Sequence, residues 1–252
     1  MTGAIEIWSL NLAEVAPALF EIEAEVGLLN SADRAGIANS ADPEVANTRL
    51  ATLIALRALL CGIVGRSEAA GPFAREAHGK PRLSSRYDCH FNVSHSRGLV
   101  LIALSRLPVG VDIEQPRDVK IDPRRRGVIE AAACAVADGR PLPRVAGDLR
   151  FLQAWTRLEA LAKAHGQGIG KLLTTIGAVG RAQLPEAVTQ MPEDLRVLIR
   201  TFATRDLLLG RDSVAAFATP RTSLTEPVLR ALPDTVWGLR RLIETTRTLG
   251  TI

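Results

Sequence analysis

The chain has 252 residues, 47% hydrophobic and 23% charged, an ordinary globular balance that suits one large domain or two subdomains sharing a core. Its net charge of +4 and pI of about 9.3, carried almost wholly by arginine, suit an anionic ligand or an acidic partner and are too small to demand nucleic acid. Cys61, Cys89 and Cys134 form no C-x-x-C pair, which argues against a disulfide framework or zinc site, and 4% aromatic content argues against a single-strand nucleic-acid groove.

The opening MTGAIEIWSLNLAEV carries Glu6 and Glu14 and lacks the basic start and apolar core of a secretory signal, so a cytoplasmic chain is expected. Ile5 to Leu10 reads as a strand, and Ala13 to Val26 has helical periodicity. Asn47 to Val64 is a second helix with Asn47 or Thr48 as its cap. Its apolar run from Leu50 to Val64 is interrupted by Arg57 and falls short of the roughly 20 residues a membrane span needs, so no membrane role is expected. A Gly/Pro-punctuated loop, GPFAREAHGKPRLSS, follows. FNVSHS and LVLIALS are two short strands joined by a turn at Arg97-Gly98, and VGVDIE is a third after the Leu107-Pro108 break. Arg117 to Gly147 reads as a helix followed by a loop. Phe151 to His165 is the clearest helix, stopped by Gly166 and Gly168. LRVLIRTFAT and SVAAFAT are expected as antiparallel strands, and Pro233 to Thr248 as a closing helix. Short strand runs between helices, without βαβα alternation, point to an α+β fold. Each half holds a helix followed by a strand hairpin, which suggests a duplicated arrangement, although no fixed period supports it.

Four stretches could carry chemistry. In VGVDIE, Asp112 and Glu114 lie two apart and share a strand face, with Val111 and Ile113 on the other. Two such carboxylates repel unless a cation lies between them, and Mg²⁺ is suitable; taken alone, a solvated or arginine-paired strand end explains them as well. In FLQAWTRLEALAKAHGQGI, Trp155, Leu158 and Ala162 share an apolar face, while Glu159 and Lys163 are spaced as an i,i+4 pair. Alone that is an ordinary ion pair. Packed against the Asp112 strand, Glu159 becomes a third metal ligand and Lys163 a phosphate contact. In FNVSHSRG, Ser94 and His95 point to opposite faces, so a nucleophile–base pair is disfavoured and anion binding fits better. No G-x-S-x-G elbow occurs. Finally, HGKPRLS holds Lys80 on a rigid turn, without the spacing of a P-loop.

The order of these stretches is more specific than any one of them. HGKPRL, FNVSHSRG, VGVDIE and WTRLEALAKAHGQG, spanning roughly Gly79 to Gly168, resemble the motif series of the Sfp-type 4'-phosphopantetheinyl transferases. The resemblance implies a pseudo-twofold α+β fold with coenzyme A and Mg²⁺ between two halves, here 1–108 and 109–252. It implies transfer of the phosphopantetheine arm from coenzyme A to a serine of an apo acyl or peptidyl carrier protein, by a monomer, with release of 3',5'-ADP. By motif position Asp112, Glu114 and Glu159 would hold the metal, and Lys163 would contact the pyrophosphate. Lys80, Ser94 and His95 would bind coenzyme A phosphates, with Arg49 or Arg57 adding a nucleotide contact. Glu159 is the candidate base, acting directly or through a metal-bound water. Three departures stand out. Leu158 replaces the usual lysine, the Arg117–Arg150 linker has no aromatic residue, and the segment after Pro220 carries no motif. A weak coenzyme A- or carrier-binding paralogue and a metal-dependent phosphodiesterase are the competing readings.

Overall fold

A computed structural model describes residues 5–84, 86–143, 148–179, 192–210, 212–223, 225–247 and 249. Strand β1 (Glu6–Asn11) runs into helix α1 (Leu12–Val26), because the Asn11 side chain accepts the Ala13 N–H as an N-cap and Gly27 stops the helix at φ 66°. Helix α2 (Ser31–Ala38) starts in an Asn30/Asp33 capping box. Helix α3 (Pro43–Val64) begins four residues before the expected cap. Its start signal is Asp42-Pro43, an aspartate accepting N–H groups ahead of a proline in the first turn, so Asn47 and Thr48 lie inside the helix. A short helix α4 (Arg66–Ala69) leads into the two-residue strands β2 (Ala74–Arg75) and β3 (Pro81–Arg82).

Strands β4 (His90–Ser96) and β5 (Leu99–Ser105) form the expected hairpin, turning at Arg97 and Gly98 with φ 44° and 84°. Strand β6 (Gly110–Glu114) is VGVDIE without its first residue. Helices α5 (Pro123–Val136), α6 (Asp148–His165) and α7 (Ile169–Thr175) follow. The stretch LRVLIRTFAT is then mostly helix α8 (Glu193–Thr201), and only its end belongs to strand β7 (Phe202–Leu207). Leu195, Leu198 and Ile199 recur at helical spacing and turn together onto the core, which overrides the β-branched content of the stretch at Val197, Ile199 and Thr201. Strand β8 (Val214–Pro220) is the expected SVAAFAT strand, and β9 (Val228–Ala231) and α9 (Val236–Glu244) close the fold. Residue 248, the last of the predicted closing helix, lies outside the described residues.

The result is a mixed α+β fold with a four-stranded sheet in the order β4-β5-β1-β9 and a three-stranded sheet in the order β6-β8-β7. Helices α1 and α3 cover the first sheet through Leu19, Ile22, Ile54, Leu59 and Ile102. Helix α6 covers the second through Leu158, Leu161, Ala216 and Ala218. A third apolar layer, including Ile7, Leu101, Val111, Ile113 and Phe217, joins the two sheets. Pro43–Val64 is apolar and long enough to cross a membrane by composition, yet its central residues from Ile54 to Leu60 are buried in the first core.

The motifless tail returns to the first sheet. Strand β9 lies parallel to β1, with Trp8 opposite Arg230. Helix α9 packs on α3 at Gly62, where a Cβ would stand 2.9 Å from the Leu242 and Thr245 carbonyl oxygens. Arg247 then donates to Glu6 at 3.3 Å and to the Leu59 carbonyl at 2.7 Å, and its guanidinium lies 5.3 Å from the Trp8 ring centroid. The described tail therefore packs on the sheet of residues 1–108, although by sequence it was grouped with 109–252.

One glycine sets the seating of α6. A Cβ on Gly110 would fall inside the van der Waals envelope of the Ala160 carbonyl oxygen and the Ala164 nitrogen, so β6 and α6 meet backbone to backbone. We expect Gly110→Ala to cost about 3 kcal/mol by forcing strand and helix apart. Chemical denaturation checks this, and an unchanged midpoint would show that the helix can shift freely.

Candidate active site

Strand β6 is an edge strand of its sheet, paired with β8 on one side only. Along an antiparallel strand, backbone groups alternate in direction, so half of its N–H and C=O groups face away from β8 and need other partners. The edge strand β4 of the other sheet supplies acceptors from its side chains. Val111 N–H donates to Asn92 Oδ1 at 2.8 Å, Ile113 N–H to Ser94 Oγ at 3.4 Å, and Gln115 N–H to Ser96 Oγ at 3.1 Å. Two lysines take the carbonyls: Lys80 Nζ donates to Val109 O at 3.2 Å, and Lys163 Nζ to Val111 O at 3.3 Å.

Asp112 lies at the centre of this seam, 5% exposed. Its Oδ1 accepts from Ser94 Oγ at 2.7 Å and from Lys163 Nζ at 2.8 Å, and Lys163 also donates to Ser94 Oγ at 3.2 Å. Burial pushes the Asp112 carboxyl above the usual range, with Lys163 opposing the shift. Glu159 is raised in the same way, first by burial and then by the negative charges of Asp112 and Glu114, against the pull of Lys163. Glu114 is held by Arg117 at 2.9 Å. Asp112 Oδ2 and Glu159 Oε2 are both buried with no hydrogen-bond partner.

Those two oxygens bear on whether a cation fits. An all-oxygen carboxylate set matches a hard divalent ion, and two buried acceptors without donors are what such a site requires. As arranged, no three His, Cys, Asp or Glu side chains among the described residues close on a common metal position. Lys163 occupies Asp112 Oδ1, and Arg117 occupies Glu114.

The remaining candidates divide. A cleft of about 850 Å³ opens between α2, α3 and β4, and Arg49 and His95 line it. Arg75 and Arg97 join them at its walls, above an apolar floor of Leu53, Leu56, Phe73 and Val93. Arg57 does not reach the cleft. It is fully buried, ion-paired to Asp33 at 2.6 Å, bonded to the Gly71 carbonyl at 2.9 Å and stacked 4.5 Å from the Phe73 ring centroid. Of the two arginines proposed for a nucleotide contact, only Arg49 faces open space. Lys80 is likewise engaged: besides Val109 O it donates to Lys163 O at 2.7 Å, and burial pushes its pKa down. Ser94 and His95 point to opposite sides, as alternation requires: Ser94 to Asp112, His95 to the cleft. Leu158 is wholly buried in the core under α6, so in this structure the position of the family lysine is an apolar contact. Sequence reasoning passed over Asn92 and Ser96. Their period-two spacing with Ser94 was the available signal.

Residues 108–205 match the model of the 4'-phosphopantetheinyl transferase superfamily, a span that contains Asp112, Glu114, Glu159 and Lys163. Among characterised relatives, the 4'-phosphopantetheinyl transferase gsp of Aneurinibacillus migulanus is 32% identical over 97 residues, covering 38% of this chain and 39% of that protein. The transferase Sfp of Bacillus subtilis (strain 168) is 27% identical over 97 residues, covering 38% and 42%. The transferase HetI of a Nostoc species is 33% identical over 124 residues, covering 46% and 51%. The chain thus spans between two fifths and about half the length of these relatives. Its resemblance to the Sfp-type transferases is supported across the carboxylate strand and the α6 helix. Lys80, Ser94, His95 and Arg49 lie outside the matched family span.

A stability test follows from the raised carboxyls. A Glu159 pKa above its unfolded value means that the folded protein binds that proton more readily, so the ionised group destabilises at neutral pH and the penalty fades as pH falls. Without divalent ions, Glu159→Gln is expected to raise the Tm by about 2 °C or more at pH 7.5. The gap to the unsubstituted protein should narrow at pH 5. A lowered Tm would mean that Glu159 is held by favourable contacts.

Proposed function

We propose that this protein transfers the 4'-phosphopantetheine arm of coenzyme A to a serine of an apo carrier protein, releasing 3',5'-ADP. The observation that carries the reading is the convergence of Asp112, Glu159 and Lys163 in one seam, beside a cleft walled by Arg49 and His95. The two halves that meet at this seam would be the pseudo-twofold pair, and one chain would hold the whole site.

In this reading the apolar floor of the cleft takes the adenine ring, and Arg49, His95, Arg75 and Arg97 neutralise phosphates. Asp112, Glu114 and Glu159 would hold Mg²⁺, which when bound supplies charge neutralisation on the pyrophosphate. Lys163 then exchanges Asp112 for a phosphate oxygen, carrying its charge from a resting ion pair to the reacting group. Glu159, lifted by burial, accepts the proton of the attacking serine hydroxyl. The basic surface implied by a pI of about 9.3 suits the acidic helices of carrier proteins.

The test is incubation with coenzyme A, Mg²⁺ and a panel of apo carrier proteins, read by intact mass. A carrier gaining one phosphopantetheine supports the reading; no gain on any carrier defeats it, and coenzyme A cleaved without a carrier points to a phosphodiesterase. Asp112→Ala should abolish transfer with its circular dichroism spectrum unchanged, and Lys163→Ala should lower kcat by about 100-fold. Arg49→Ala should weaken coenzyme A binding about 10-fold, equivalent to about 1.4 kcal/mol. Arg57→Ala should instead lower the Tm, since it strands Asp33 in the interior. An Arg57→Ala variant with a normal Tm and weakened binding would reverse the assignment.

A further inference from the structure

The geometry points to Asn92 and Ser96 as positioning residues for the carboxylates of β6, an inference that rests on the transferase reading. Strands β4 and β6 are the facing edges of two different sheets, yet the bonds described across the seam involve side chains of β4. Residues 92, 94 and 96 advance in step with 111, 113 and 115, so the pairing is parallel and in register over its whole length. The middle rung, Ser94, is shared with Asp112 and Lys163 and belongs to the site itself. The outer rungs touch neither carboxylate. They hold the backbone immediately before Asp112 and immediately after Glu114.

The choice of side chains has a geometric consequence. Asn reaches one bond farther than Ser, so the seam can be wider at Val111 than at Gln115. The wider end is where the Lys80 and Lys163 ammonium groups enter. Direct backbone pairing would close neighbouring strands to about 4.8 Å and leave no room for either lysine. Side-chain rungs therefore keep two edges bonded and at the same time apart. The strand keeps its β8 ladder whichever outer rung is lost, so loss of a rung should tilt β6 without unfolding it.

Amide hydrogen exchange and steady-state kinetics on Asn92→Ala and Ser96→Ala test this in the full chain. Exchange at Val111 in the first variant and at Gln115 in the second should accelerate about 10-fold, while Asp112 and Glu114, whose amides face β8, stay protected. Ser96 lies outside the cleft lining, so Ser96→Ala should lower kcat about 10-fold with KM for coenzyme A within about twofold, and Ser96→Thr, which keeps the hydroxyl, should restore both. Unchanged exchange would overturn the rungs. Faster exchange with undiminished kcat would overturn the positioning role. If the unsubstituted protein transfers nothing, the transferase reading fails, and with it the positioning role; the exchange data still show whether the rungs exist.

Discussion

An edge strand buried between two sheets must find partners for every backbone group that faces away from its own sheet. In this fold that requirement falls on β6, and much of the candidate site is built from its solution. Acceptors come from Asn92, Ser94 and Ser96, and donors from Lys80 and Lys163. Because the donors are ammonium groups rather than amides, satisfying the edge also brings positive charge beside Asp112. The backbone requirement and the electrostatics of the site are thus met by the same atoms.

Gly110 and Lys80 make that arrangement rigid from the other direction. The missing Cβ lets α6 press its backbone onto the start of β6, which brings Lys163 within reach of Val111 and Asp112. Lys80, at the turn of the β2–β3 hairpin, then bonds one carbonyl of the entry to β6 and one of the last turn of α6. A cation at a helix C-terminus is favourable in itself, and this one also joins strand to helix. A lysine that by sequence looked available to phosphate is therefore, in this structure, a clip between elements. Its lowered pKa reflects the burial that the role demands.

Much of the candidate site was legible because its residues act at short range. Asp112 and Glu114 share a face by strand period alone, and Glu159 and Lys163 by helix period. The α+β class was legible from the same periods. What escaped depends on partners far along the chain. Asn92 and Ser96 were passed over because the strand they bond starts about twenty residues later and belongs to another sheet. Strand β9 has three exposed residues of four and offers no alternation, so its pairing with β1 could not be read locally. The misread α8 differs in kind: its apolar residues suited a strand by type, and only their spacing, decided by contact with the core, made it a helix. Arg57 and Arg49 lie eight residues apart on one helix. Their separation into core and cleft depends on Asp33, brought alongside by a helix whose capping box was overlooked.

The energetics of the seam connect these structural points to chemistry. A well-packed interior has no reason to keep two carboxylates whose burial raises their pKa values, with one oxygen of each left without a donor. Lys163 relieves part of that cost for Asp112, but its ammonium bonds Asp112 Oδ1 and leaves Asp112 Oδ2 and Glu159 Oε2 without donors. Part of that cost stays unrelieved in the seam. By contrast the buried arginines Arg57 and Arg157 are each matched to an aspartate at 2.6–2.7 Å. Where the fold can neutralise buried charge with its own residues, it does so closely. In the seam it leaves one oxygen of each of two buried carboxylates without a donor, a need that a divalent cation and a lysine released toward phosphate would together resolve.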